Sequence, residues 1–248
     1  MRNFIFVMAL FFCGQSYGND GTKPVIRAAV AEEYRHGLHS KYLKYFAEKL
    51  NMTLELSTMP FARRLLQIEH GQLDLIVGIQ KTDERQDEFI YIMPHYESLS
   101  YRIFTLQENH QSIKNYNDLS GKYIGVNRYS KYFKPFDDDN RINKFRASGV
   151  VQNIELLLHK RIDAFVHYEE STLPLLMKLG ERNRIAKTVY QPDYKTRHYL
   201  AISSHSLLKE RKLELEGIVK AAIKNNDLLN IRLKHYADIH KRDAGLAQ

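Results

Sequence analysis

Gly71-Gln72-Leu73-Asp74-Leu75-Ile76-Val77 and Lys160-Arg161-Ile162-Asp163-Ala164-Phe165-Val166 decide how this chain folds. Each follows an amphipathic helical stretch, turns tightly, places an aspartate and runs into an apolar strand. Two such units predict two similar α/β lobes rather than one enlarged sheet. Asp74 and Asp163 read as braces of their own turns, because aspartate hydrogen-bonds nearby backbone where a chain reverses.

The pattern extends in both directions. Val25–Val30 is an apolar strand, and Ser40 is placed to cap a helix carrying Tyr42, Leu43, Phe46 and Leu50. Thr53–Ser57 alternates as a strand, and Pro60 opens a helix with Leu65, Leu66 and Ile68 that stops at Gly71. Strand and helix in alternation imply parallel βαβ units. Farther on, Ser100–Leu106 reads as a strand leaving the first lobe and Tyr123–Val126 as the first strand of the second. The helix Val151–His159 carries Ile154, Leu157 and Leu158 into the second unit. His198–Ser203 is a further strand, and the helical tail carries Leu213, Leu215, Ile218, Val219 and Ala222 on one stripe that needs a partner.

Composition narrows the class. Met1-Arg2-Asn3, the apolar run Phe4–Phe12, and small Ser16 and Gly18 before Asn19 read as a cleaved secretory leader, residues 1–18. That leader contains Cys13, the one cysteine among 248 residues, so neither a disulfide nor thiol chemistry is expected. The net charge of +8 fits nucleic acid, an anionic membrane surface or an anionic ligand, and equally a solvated basic surface with no partner. Export and the scatter of Lys and Arg along the chain argue against nucleic acid. His36 and His39 flank Gly37 in an expected loop with no cysteine nearby, so no metal is expected. No cofactor is expected either.

Several further stretches resemble one family, the extracellular solute-binding proteins of family 3, which are amino-acid-type periplasmic binding proteins of type II fold. Gly71-Gln72-Leu73-Asp74, Thr82-Asp83-Glu84-Arg85 and Tyr91-Ile92-Met93-Pro94-His95-Tyr96 are similar to its "G-x-x-D", "T-x-x-R" and "F-S-x-P-Y" signatures. Asp118-Leu119-Ser120-Gly121-Lys122-Tyr123-Ile124-Gly125-Val126 resembles the start of its second lobe, and Arg161-Ile162-Asp163-Ala164 its "G-x-x-D-A". The resemblance implies an α/β fold of two lobes, the first discontinuous (residues 19–107 and 196–248) and the second continuous (residues 108–195). A ligand cleft is expected between them, with two hinge crossings near residues 107–109 and 193–197.

It also implies site residues. Arg85 takes the place of the arginine that forks onto a ligand carboxylate, two parallel donors meeting two oxygens. Ser130 occupies the second-lobe anion turn, as ligand donor or as plain helix cap, with Tyr129 where the family has glycine. Tyr34 and Phe61 fall where loops place aromatics on the ligand, and Gly78 and Gln80 where acceptors precede "T-x-x-R". One of Arg63 and Arg64 is expected to face the cleft, and helical spacing leaves open which. Tyr168 stands where amino-acid binders have the aspartate that neutralises an ammonium, with Glu169 one residue on. Either Glu169 takes over that role or the ligand lacks an α-amino group.

The expected function is capture of a small anionic or zwitterionic carboxylate, an amino acid or a relative, by a periplasmic monomer serving an inner-membrane ABC transporter permease or a sensor. The alternatives are a dehydratase-like enzyme on the same scaffold, using His167, Glu169 and Glu170, and a sensing lobe uncoupled from transport. No nucleophile motif or metal spacing accompanies those three residues.

Overall fold

A computed structural model describes residues 23–85 and 88–246. The expected leader lies outside the described residues. The chain forms β1 (Val25–Val30), α1 (Leu38–Lys49), β2 (Thr53–Thr58), α2 (Phe61–Glu69), β3 (Leu75–Ile79) and β4 (Phe89–Leu106). There follow β5 (Tyr123–Asn127), α3 (Lys134–Asp138), β6 (Asn143–Ala147), α4 (Val150–Leu158), β7 (Ala164–Tyr168) and α5 (Glu169–Lys178). β8 (Ile185–Lys187), β9 (Lys195–Ser203), α6 (Lys212–Lys224) and α7 (Asp227–Leu246) complete the order.

The strands run β2-β1-β3-β9-β4-β7-β5-β6, with β8 also on β4. β4 is the shared element. Its first part, through Ser100, pairs with β9, and from Tyr101 onward it pairs with β7 and then β8. The two parts therefore belong to two sheets, one per lobe. The β4–β9 ladder is interrupted between Ile92 and Glu97 and resumes at Glu97 opposite His198. These two strands are the crossings between the lobes.

Both faces of each sheet are covered, as parallel βαβ units require. On one face of the first sheet, Tyr42, Leu43 and Phe46 of α1 meet Leu215, Val219 and Ala222 of α6 and Leu228 of α7 over Ile26, Leu75 and Leu200. The helical tail thus buries Leu215, Val219 and Ala222 on the first lobe with Ile218 beside them, while Leu213, expected on the same stripe, stands exposed at the helix start. On the other face, Leu65 and Ile68 of α2 pack over Ile76, Ile79 and Ala201. In the second lobe, Ile154 and Leu157 of α4 and Leu175 and Leu176 of α5 cover Phe104 and Phe165.

The two aspartates of the repeat do the same work in each lobe. Asp74 Oδ2 accepts the backbone N–H of Arg27 at 2.9 Å, and its own N–H donates to the Arg27 carbonyl. Asp163 Oδ2 accepts the N–H of Tyr123 at 2.7 Å, and its N–H donates to the Tyr123 carbonyl. Each carboxylate thereby ties the turn after a helix to the neighbouring parallel strand. Arg27 and Ser206 add side-chain bonds to Asp74. Burial would raise the Asp74 pKa, but these donors outweigh it and hold the carboxyl below its ordinary value.

Two expected caps are corrected. α1 starts at Leu38 with Gly37 at its N-cap, so Ser40 lies inside the helix and donates to the Arg35 carbonyl at 2.6 Å. His39, expected in a loop, sits in the first turn of the same helix. Ser130 is not a helix cap either: α3 begins at Lys134, with Phe133 at the N-cap position and no side-chain cap.

Candidate binding cleft

A cavity of about 1170 Å³ lies between the lobes, lined from the first by Tyr34, Phe61, Arg64, Gly78, Gln80 and Arg85. Ser130, Lys131, His167 and Tyr168 line it from the second. The lobes touch across it. The Tyr34 hydroxyl donates to the Ser171 carbonyl at 3.4 Å, Gln80 Nε2 donates to the Lys131 carbonyl at 2.8 Å, and Arg85 donates to the Tyr129 carbonyl.

Local chain conformation explains several placements. Tyr129 adopts φ 63°, a left-handed geometry that favours glycine, which accounts for the family's glycine at this position. Gly78 has φ 74°, and a Cβ there would stand 2.3 Å from His39 Cε1, so only glycine lets α1 come this close. Pro60 starts α2 directly before Phe61 and so brings that ring to the cleft mouth. One turn later Arg64 is 8% exposed and lines the cavity, while Arg63 points to solvent. The Arg64 and Arg85 guanidinium carbons stand 5.1 and 5.7 Å from the Phe61 ring centre.

Tyr168 is held in a polar network. Its hydroxyl donates to the Tyr101 hydroxyl at 2.7 Å, receives Gln80 Nε2 at 3.1 Å and lies 2.9 Å from His198 Nε2. Its ring stacks on Tyr101 with centres 4.5 Å apart. Glu169 is not brought to the cleft. Its carboxylate is 2.6 Å from Lys187 Nζ and 3.2 Å from Arg102 Nε, away from the lining residues. Of the other acidic lining residues, Glu33 reaches toward the turn at Gly149 and Glu170 is exposed.

Sequence reading missed the hinge cluster. Glu97 from β4 forms an ion pair with Arg232 of α7, accepts the Tyr42 hydroxyl at 3.3 Å and lies 3.4 Å from His198 Nδ1. His39, Glu97 and His198 place ligand-type atoms within 4.8 Å of one another. Arg232 already neutralises the carboxylate and would repel a cation there, so the set works as a charge network rather than a metal cage. An acidic residue within the long strand β4 was the available signal, but its three partners are remote in sequence.

Two buried histidines are expected to make the fold acid-sensitive. Burial pushes His167 and His198 down to about 4, and His167 Nδ1 is 2.8 Å from the Thr172 hydroxyl. The unfolded chain binds protons at these residues from about pH 6.5 downward, while the folded protein stays neutral there to about 4. Their neutral burial is therefore fully tolerated above pH 6.5, and stability falls as pH drops through that window. Melting temperature measured from pH 7 to 4 should decline steadily, and a flat profile would contradict the neutral histidines.

Fold and cleft together define a two-lobed α/β protein of type II binding-protein architecture. The sequence profile of the bacterial extracellular solute-binding proteins, family 3, matches residues 18–241, and the chain belongs to that family. Among curated relatives, "Putative amino-acid ABC transporter-binding protein PatH" of Vibrio harveyi is 28% identical over 132 residues, 51% of each chain. "Probable amino-acid-binding protein YxeM" of Bacillus subtilis is 24% identical over 148 residues, 58% of this chain and 55% of that one. The chain thus spans about half the length of the curated relatives it matches. The amino acid ABC transporter substrate-binding protein AbpA of Streptococcus pneumoniae, solved with L-arginine, superposes with TM-score 0.74 at 18% identity, covering 87% of this chain and 95% of that one. An ancestral arginine-binding protein solved with arginine gives 0.74 at 19% identity, covering 87% and 99%. Identities this low carry the fold and not the ligand. Among the described residues no helix is long and apolar enough to cross a membrane.

Proposed function

We propose that this protein is a periplasmic solute receptor that closes on a small carboxylate-bearing ligand and presents it to an inner-membrane ABC transporter. The observation that carries the reading is the inter-lobe cavity with Phe61, Arg64 and Arg85 on one wall and a polar second wall at Ser130 and Lys131. A ligand bridging both walls favours the closed arrangement by its differential affinity, and the two crossing strands supply the hinge. Arg85 holds the carboxylate. Tyr34 and Phe61 bury the ligand's apolar surface, and Gly78, Gln80, Ser130 and Tyr168 supply polar contacts. Glu169 is left out of the site because Arg102 and Lys187 engage it.

Binding without turnover is favoured over a dehydratase. His167 is bonded to Thr172 and is a weak base at neutral pH, far from the matched pKa that acid–base catalysis needs. The lobe division is proposed as residues 19–100 with 196–248, and 101–195, since β4 changes partner at Tyr101. That boundary precedes residue 107, where the sequence placed it. The protein acts as a monomer.

Native mass spectrometry of the protein purified from the periplasm tests the reading: a retained small molecule bearing a carboxylate is expected, unchanged in mass on incubation. A retained ligand without an acidic group would refute carboxylate capture, and a mass change would favour the enzyme. The same spectra check processing. The exported chain is expected to begin at Asn19 with no lipid, and an intact N-terminus or a diacylglyceryl mass on Cys13 would exclude this leader.

A further inference from the structure

Arg64 is a buried charge that the fold does not satisfy. It is 8% exposed, its Nε is buried without a hydrogen-bond partner, and its guanidinium makes no ion pair among the described residues. Arginine cannot escape burial by losing its proton at neutral pH. Burial pushes Arg64 down only to about 10, with Glu33 acting in the opposite direction. Glu33 attracts it without an ion-pair contact, and the face of Phe61, 5.1 Å from its guanidinium carbon, returns only part of what desolvating a guanidinium costs. Other buried cations of the cleft are provided for. Arg232 has Glu97, and Arg85 has the Tyr129 carbonyl. Arg64 opens instead onto the cavity.

An unpaired cation held in a binding cleft calls for an anionic group on the ligand. Arg85 and Arg64 flank one ring, so they are separated by no more than their two distances to its centre together. One short molecule spans that gap. We infer that the ligand carries two anionic groups, one on Arg85 and a second on Arg64, making this cleft a receptor for short dicarboxylates or their amino derivatives. This rests on the proposed carboxylate site at Arg85 and adds the partner of Arg64. An α-amino group on the ligand is compatible with it, since Glu33 and Glu170 also line the cleft.

Calorimetry on the full mature protein, extensively dialysed, tests the inference with malonate through adipate, L-aspartate and L-glutamate, and with L-asparagine and L-glutamine as single-carboxylate controls. At least one two-carboxylate probe is expected to bind ten times or more tighter than its control. Arg64→Met should weaken that probe ten- to hundredfold and leave the control within about threefold, so that the preference vanishes. Circular dichroism and a cooperative melt of Arg64→Met establish that it folds. If that variant does not fold, Arg64→Gln takes its place with the same expected loss of preference. Equal binding of single-carboxylate controls, or an Arg64 variant that weakens both kinds alike, overturns the second anionic group and leaves the carboxylate site at Arg85 standing. Absence of binding by every carboxylate probe overturns both.

Discussion

Glu97→Gln is expected to destabilise the protein by about 3 kcal/mol, the lower end of what breaking one partner of a buried ion pair costs. The substitution keeps volume and hydrogen-bonding atoms but removes the charge opposite Arg232, whose side chain is only 20% exposed. It also leaves one amide oxygen where two carboxylate oxygens stand, so His198 Nδ1 and the Tyr42 hydroxyl no longer both face an acceptor. For a domain of this size the loss corresponds to a melting temperature lower by roughly 6–12 °C. A surface ion pair would shift it by a small fraction of that. Combining Glu97→Gln with Arg232→Met should recover part of the loss, because no uncompensated cation then remains. A single variant melting within a degree of the parent would show that the Glu97–Arg232 pair does not support the fold.

Arg85→Lys is expected to weaken ligand binding ten- to hundredfold. Lysine keeps the charge but offers one point of attachment where guanidinium offers two parallel donors in a plane. A charge-assisted hydrogen bond is worth about 1.5–3 kcal/mol, which gives that range. Lysine would also lose the planar face that lies against Phe61 and the bond to the Tyr129 carbonyl. Calorimetry with the ligand identified by mass spectrometry reads the change directly. Unchanged affinity would remove Arg85 from the site.

Local patterns carried most of the architecture. The helix–turn–aspartate–strand repeat was legible because each unit is contiguous, and Asp74 and Asp163 occupy matching positions against Arg27 and Tyr123. Helix starts were less so. Ser40 and Ser130 are good capping residues in poor positions, since a glycine and a phenylalanine flank the actual helix starts. The choice between Arg63 and Arg64 depended on the rotation of α2 against the sheet, which adjacent residues in sequence do not encode. The Glu97–His198–Arg232 cluster was invisible for a different reason. Its members come from two crossing strands and the last helix, and only the pairing of β4 with β9 puts them together.

That pairing also sets the order in which the chain can complete itself. β9 lies between β3 and β4 in the first sheet, yet among the described residues it is the last strand to be synthesised. The strands β5 to β8 and the second part of β4 are all present before it and can close the second sheet on their own. Until β9 arrives, β3 and the first part of β4 each present an open backbone edge with apolar side chains beside it. Such edges template pairing with other chains, so the nascent chain is most prone to aggregate in the interval before residue 203 has been made.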